Sequence, residues 1–147
     1  MVINPSISAK TVPELVKLAK ANPGSINYAS AGIASPAHLA GEMFNLLADV
    51  KLTHVPYKGA GPALLDVIGG QVQLIITSPI AAGAHISNGK VRALATTGKN
   101  RADVLPDVPT VAEAGVPGYE ATIWLGVMAP KNTPAAIVNK LNAEITK

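Results

Sequence analysis

The clearest signal in this 147-residue chain is the stretch Tyr28-Ala29-Ser30-Ala31-Gly32-Ile33-Ala34-Ser35-Pro36-Ala37-His38. It predicts a short strand, a turn of small residues and then a helix. Ser35 is a preferred helix N-cap, and Pro36 fits the first helical position because its missing N–H costs nothing there. The small residues around Gly32 let a ligand approach the backbone. Such a turn directs free amides and the positive end of a helix at one point, which predicts an anion site.

The spacing of apolar residues alternates along the chain between two residues and about 3.6 residues, which is typical of alternating strands and helices. It predicts strands at residues 26–29, 52–55, 72–77, 91–96 and 122–128. It predicts helices at residues 11–21, 36–48, 62–68, 79–87, 110–114 and from 134 to the end, with Leu39, Met43, Leu46 and Leu47 buried on the second helix. This order indicates an α/β fold, with an open, mainly parallel sheet and helices on both faces.

Two further strand-to-helix junctions repeat the arrangement of the first. One is the Gly-rich turn that follows His54, and the other is Thr77-Ser78-Pro79. Ligands of open α/β sheets lie beyond the carboxyl ends of the strands, and helix N-termini, hydroxyls and one cation suit a carboxylate. The predicted ligand-binding residues are Ser30, Ala31, Gly32, Ile33, Ala34, Ser35, His38, Tyr57, Lys58, Gly59, Thr77 and Ser78.

Most of these residues also have a purely structural interpretation. Ser35 caps a helix whether or not a ligand binds, and Gly59 shapes a turn. Lys58 is of a type that is usually a solvated surface charge. His38, in the first turn of a helix, either faces the site or packs, and His54, inside a strand, is expected to be a structural histidine. The prediction depends on three junctions occupying equivalent positions rather than on any single residue.

Composition and motifs exclude several classes of function. The 12 basic and 9 acidic residues are dispersed, so the net charge of +3 does not indicate nucleic-acid binding. The absence of cysteine excludes disulfides and thiolate chemistry. No Gly-x-Ser-x-Gly motif, carboxylate pair or metal-ligand spacing is present, so no catalytic residue, metal or cofactor is predicted. No charged-then-apolar leader precedes residue 20, and we expect no export signal within this sequence.

The chain resembles the solute receptors of tripartite tricarboxylate transporters, the Bug or TctC-like proteins. The resemblance covers nearly all of the chain and is carried by Asn27 to Glu42, His54-Val55-Pro56-Tyr57-Lys58-Gly59, Gly69-Gly70-Gln71-Val72, Leu105 to Glu113 and Gly118-Tyr119-Glu120. It implies one lobe of a two-lobed, periplasmic-binding-protein-like (type II) fold. It also implies a periplasmic receptor, not an enzyme, that closes on a small carboxylate and delivers it to membrane subunits.

Compared with the family pattern, the first lobe and the sequence after residue 147 are missing. The resemblance therefore implies that residues 1–129 are the second, ligand-binding lobe. Residues 130–147 would form a helix that belongs to the first lobe, after a hinge strand near Trp124 to Ala129. It further implies that Ser30, Gly32, Ser35 and His38 face the ligand, with Tyr57, Lys58 and Gly59 close by. Many relatives have an acidic residue near Thr77 and this chain has none, which favours a plain mono- or dicarboxylate over an amine-bearing ligand.

The last predicted helix carries an apolar stripe whose cover would lie in the missing lobe. We therefore consider a homodimer or a domain swap through this helix, whose stripe consists of Ile137, Val138, Leu141 and Ile145. Two other functions stay open at this point. One is a small enzyme that acts on a carboxylate, and the other is the ligand-input or interaction module of a sensor.

Overall fold

The computed structural model describes residues 1–123 and 127–146. Within these residues, strands and helices alternate after an initial strand, as the apolar spacing predicts. The elements are β1 (Val2–Ile3), α1 (Val12–Ala21), β2 (Asn27–Ser30), α2 (Pro36–Leu47), β3 (Thr53–Pro56), α3 (Ala60–Ile68), β4 (Leu74–Ile75), α4 (Pro79–Ser87), β5 (Arg92–Ala93) and α5 (Ala135–Ile145).

The strands form one open, five-stranded sheet in the order β3-β2-β4-β1-β5. β2 pairs in parallel with both β3 and β4, whereas β1 is antiparallel to both β4 and β5. Four strands therefore run in one direction, and their carboxyl ends lie at the same edge. The α/β class and the mainly parallel sheet are confirmed, but β1 was not predicted, because two apolar residues carry no periodicity.

Separate hydrophobic cores lie on the two faces of the sheet, because successive strand residues point to opposite sides. Tyr28 of β2 belongs to the first core, and its neighbour Ala29 belongs to the second. α1 and α2 cover the first face, and α3 and α4 cover the second, which confirms helices on both faces. The buried helix residues of these cores are Val12, Leu15, Ala19, Ala40, Phe44, Ala63, Leu64, Val67 and Ala82.

The predicted buried face of α2 was wrong for its three leucines, whereas Met43 is partly buried and packs against the first core. Leu39 and Leu46 are 60% and 79% exposed, and Leu47 is exposed as well. The helix instead turns its small residues Ala40 and Gly41 and the ring of Phe44 toward the sheet. Small residues allow the closer approach of the helix, and the Tyr28 ring fills the space above them.

Several shorter elements also differ from prediction. Residues 111–115 form consecutive turns rather than a helix, after an isolated bridge of Thr110 to Thr96, and a reciprocal pair of hydrogen bonds joins Thr110 and Glu113. β4 and β5 are two residues long each, shorter than predicted. Thr122, Ile123, Val127 and Met128 are not in a strand, and Trp124, predicted to lie in the hinge strand, falls outside the described residues.

The C-terminal helix α5 has no buried residue. The predicted apolar stripe is solvent-exposed, at 40–58% for Ile137, Val138, Leu141 and Ile145. A groove of about 530 Å³ lies between this helix and the residues that precede it. Throughout residues 1–123 and 127–146, no helix has the length and apolar character needed to cross a bilayer.

Candidate functional site

The three predicted turns lie next to one another on one edge of the sheet. They follow β3, β2 and β4, which are neighbouring parallel strands, so their carboxyl ends coincide. The first two turns are also joined directly, because Tyr57 N donates to Ser30 O at 3.0 Å. Gly32 has φ +139, and a Cβ there would be 3.5 Å from Tyr57 O, so a glycine suits this junction.

The Ser30 hydroxyl is enclosed within the first turn. Ser30 is fully buried, and its Oγ lies 2.9 Å from Gly32 O, 3.1 Å from Gly32 N and 2.6 Å from His54 Nε2. This hydroxyl therefore forms its hydrogen bonds within the turn and with His54 on the neighbouring strand. The expectation that Ser30 faces the ligand stays a prediction.

The second half of the turn is held by the start of α2. Ser35 caps the helix as predicted, since its Oγ accepts from His38 N at 3.3 Å. Ser35 N in turn donates to Gly32 O at 3.2 Å. Ala34 has φ +61, in the left-handed region, and its N–H donates to His38 Nδ1 at 3.0 Å. His38 is therefore half-buried against the turn.

Three backbone donors of this turn remain available. The N–H groups of Ala31, Ile33 and Ala37 have no hydrogen-bond partner among the residues that the structure describes. Ala37 is the second residue of α2, where the positive end of the helix dipole acts. Ile33 is 78% exposed at the tip of the turn. A small anion could accept from these donors without displacing an internal bond.

In the second turn, Lys58 is the residue most accessible to a ligand. Its side chain is exposed and forms no ion pair within residues 1–123 and 127–146. Gly59, at φ +129, is the N-cap of α3 and supplies no side-chain cap, so the first N–H groups of this helix stay free of a capping oxygen. The Tyr57 hydroxyl instead donates to Asp66 Oδ2 at 2.7 Å, and burial and that carboxylate raise the pKa of Tyr57 to about 12.

The third turn contributes hydroxyls. Ser78 caps α4 by accepting from Ala81 N at 3.2 Å and is exposed. Thr77 is half-buried beside a cavity of about 40 Å³, which is far smaller than the several hundred Å³ of a typical ligand pocket. The candidate site is therefore an open edge rather than an enclosed pocket.

Sequence reasoning missed a fourth turn on this edge. β5 ends there too, and Thr96 and Thr97 follow it closely. Beside them, Met1 N donates to Ala95 O at 2.8 Å, and burial lowers the pKa of this terminal amine to about 5. β5 runs in the same direction as β4 because β1, which lies between them, is antiparallel to both. Since β1 was not predicted, the direction of β5 could not be predicted either.

His54 is half-buried and packs within the fold, as expected of a structural histidine. Its ring stacks on that of His38, and both lie beside the Tyr28 ring. Burial, and secondly the neighbouring His38, lower the pKa of His54, while Glu42 acts in the opposite direction. Tyr28 donates to Glu42 Oε1 at 2.6 Å, and its pKa is raised by burial and by this carboxylate. The described residues contain no group of three or more side chains placed to bind a metal.

An open α/β sheet with free donors at one edge is typical of a lobe of a periplasmic binding protein. Over residues 1–147 the chain matches the tripartite tricarboxylate transporter family receptor. The chain belongs to this family. Its members and structural neighbours are binding and receptor proteins rather than enzymes, in agreement with the sequence analysis.

Among the relatives, the UPF0065 protein in the tcbD-tcbE intergenic region of a Pseudomonas species is 45% identical over 139 residues. These residues cover 94% of this chain and 41% of the relative. Protein BugT of Bordetella pertussis is 39% identical over 147 residues, which cover 100% of this chain and 45% of that protein. The chain thus spans less than half the length of these relatives.

Solved structures show the same fold and the same partial coverage. Rpa4515 of R. palustris, solved with adipate, has a TM-score of 0.93 at 38% identity, covering 98% of this chain and 48% of that one. MatC of Rhodopseudomonas palustris, with bound malate, has a TM-score of 0.86 at 34% identity. The match covers 99% of this chain and 49% of MatC. The periplasmic binding protein BugD has a TM-score of 0.87 at 38% identity. The match covers 98% of this chain and 48% of BugD. The lobe-like fold is thereby confirmed.

Proposed function

We propose that this chain is the ligand-binding lobe of a periplasmic solute receptor, which holds a small carboxylate in the cleft between two lobes. The full receptor delivers its ligand to the membrane subunits of a tripartite tricarboxylate-type transporter. The observation that carries the proposal is the shared edge of the turns after β3, β2 and β4, where N–H groups and the side chain of Lys58 have no partner among the described residues. Family membership supports the same function.

The carboxylate is expected to bind through backbone donors more than through hydroxyls. Ala31, Ile33 and Ala37 supply N–H groups in the first turn, and Lys58 supplies a cation in the second. Ser35 and Ser78 are additional hydroxyls at the same edge. Ser30, Gly32, Ala34, His38, Tyr57, Gly59 and Thr77 are assigned to the shape of the site rather than to direct contact.

The edge also favours an aliphatic ligand. Ile33 and Ile80 are 78% and 92% exposed, and they follow the neighbouring strands β2 and β4. Their side chains suit the methylene groups of a plain mono- or dicarboxylate. The third turn, Thr77-Ser78-Pro79, has no acidic residue for an ammonium group. The bound adipate and malate of the two R. palustris proteins belong to this chemical class.

We assign residues 1–129 to this lobe and residues 130–147 to a helix that packs on the other lobe. The support is the exposed stripe on α5 and the apolar groove beside it, lined by Val127, Met128, Leu141 and Ile145 among others. When the first lobe is absent, a second copy of the chain is the alternative cover for this surface, by dimerisation or a domain swap.

Binding calorimetry with adipate and malate tests the proposal. Each charge-assisted hydrogen bond contributes about 1.5–3 kcal/mol, and binding must offset several kcal/mol of lost ligand freedom. The 147-residue chain is therefore expected to bind at millimolar concentration, and the two-lobed receptor much more tightly. Micromolar binding by this chain alone would contradict the division of the site between two lobes. Binding of neither compound by the complete receptor would contradict the ligand class.

A further inference from the structure

His38 of α2 and His54 of β3 form a stacked pair behind the first turn. Their ring centroids are 3.9 Å apart, and the ring planes differ by 19°. The Tyr28 ring lies 5.0 Å from that of His54. The pair therefore joins α2, β2 and β3 directly beneath residues 30–35.

Each imidazole also forms one hydrogen bond that shapes the turn. Ala34 N donates to His38 Nδ1 at 3.0 Å, and Ala34 has φ +61, a conformation that is unfavourable for a residue with a Cβ. Ser30 Oγ lies 2.6 Å from His54 Nε2. A ring nitrogen that accepts a hydrogen bond carries no proton, so His38 is neutral in this arrangement, with its proton on Nε2.

Protonation would change these two contacts differently. A proton on His38 Nδ1 turns the acceptor into a donor that faces the Ala34 N–H, so this hydrogen bond is lost. A proton on His54 is compatible with Ser30, whose hydroxyl can donate to Gly32 O at 2.9 Å. Two charged rings at 3.9 Å would repel each other, so the pair does not hold two protons.

Within residues 1–123 and 127–146, few other titratable groups face the pair. α2 contributes Glu42, which accepts from the hydroxyl of Tyr28 on β2, and β3 contributes only His54 itself. Tyr119 contacts another part of α2, where it donates to Ala40 O at 3.0 Å. Lys58 is exposed on the next turn. Burial, and secondly His38, lower the pKa of His54.

We infer that His38 and His54 are positioning residues, which hold the turn at residues 30–35 in its binding conformation while both rings are neutral. Carboxylate affinity therefore falls on acidification, because the Ala34 N–H bond is lost and the donors of the turn are no longer fixed. This inference rests on the proposed function for its effect on affinity. The predicted change in the turn at residues 30–35 does not depend on any ligand.

NMR titration of the 147-residue chain with sodium adipate, between about pH 5 and pH 8, tests the inference. The Ala34 amide resonance should titrate together with the two imidazole rings. Loss of one hydrogen bond should weaken adipate binding about two- to tenfold at the acidic end. His38→Asn keeps an acceptor near the position of Nδ1 but does not titrate, so its affinity should change less with pH. His38→Phe keeps an aromatic ring without an acceptor and should bind weakly at every pH.

His85→Asn, on α4 at the other face of the sheet, is the matched control and should behave as the unmodified chain. An Ala34 amide that does not move through the titration would overturn the inference, as would identical pH profiles for the unmodified chain and His38→Asn. If His38→Asn does not fold, the imidazole nitrogen shifts of the unmodified chain decide, and a protonated His38 Nδ1 at neutral pH overturns it. Absence of adipate binding at every pH would count against the proposed function, while the Ala34 amide would still decide the positioning role.

Discussion

The ring of Tyr28 packs on the backbone of Gly41, so closely that a Cβ on residue 41 would overlap the ring. Tyr28 is fully buried in β2, and its hydroxyl donates to Glu42 Oε1, on the residue that follows Gly41 in α2. This contact sets the distance between the strand and the helix whose first residues border the candidate site. The site thus depends on a glycine that sequence reasoning did not single out.

Gly41→Ala is expected to destabilise the chain by about 1–3 kcal/mol through overpacking, although alanine is the better helix former. Gly83→Ala in α4 is the matched control, because among the described residues no atom beyond its chain neighbours and its own helix backbone lies within 4 Å of the added Cβ. That variant should be stabilised by up to about 1 kcal/mol. Urea denaturation measures both free energies of unfolding, and equal effects of the two substitutions would contradict the contact.

Lys58→Met is expected to separate ligand binding from stability. The side chain is exposed and has no ion pair within the described residues, so the free energy of unfolding should change by less than about 0.5 kcal/mol. Adipate affinity should fall about tenfold or more, since a charged hydrogen bond is lost. Lys90→Met is the control, because Lys90 precedes β5 and lies at the opposite edge of the sheet. An equal loss of adipate affinity in both variants would indicate a general effect of net charge.

Stability is expected to rise between pH 5 and pH 8 in a chain whose first residue is Met1. Burial lowers the pKa of the Met1 amine from 8.0 to about 5, and it also lowers the pKa of His54 below its usual 6.5. The unfolded chain therefore binds more protons than the folded chain over this interval, and the free energy of unfolding increases with pH. Urea denaturation at several pH values should show a difference of a few kcal/mol. Because the pKa values are lowered mainly by burial, the rise in stability should persist at about 0.5 M salt. A free energy of unfolding that does not change with pH would contradict this prediction.

Deletion of residues 130–147 is expected to leave the stability of this chain almost unchanged. None of the residues of α5 is buried, so the free energy of unfolding should change by less than about 0.5 kcal/mol. Leu15→Ala, at a fully buried position of α1, should cost about 2–5 kcal/mol in the same assay. Any self-association seen by sedimentation should disappear with the deletion. A large loss of stability would show that α5 packs on the lobe.

Local signals in the sequence predict much of the fold. Thr11, Ser35 and Ser78 each accept a hydrogen bond from a backbone N–H of the helix that follows, as their residue types indicate. These caps act within three residues, so no distant part of the chain is needed to recognise them. The same holds for the turns that separate the elements.

The face of a helix and the use of a donor depend on distant residues. α2 buries Ala40 and Phe44 rather than Leu39 because of the ring of Tyr28 on another element. The Ser30 hydroxyl is occupied by His54, which is 24 residues away in the sequence. Neither relationship has a local signature, and both require the folded chain.

The order of residues was enough to place three helix N-termini after three parallel strands, because caps, prolines and apolar spacing are local properties. Only the packed chain decided which donors at that edge remain free. The Ser30 hydroxyl is already engaged by His54 on the neighbouring strand, and that contact arises from packing rather than from neighbours in the sequence.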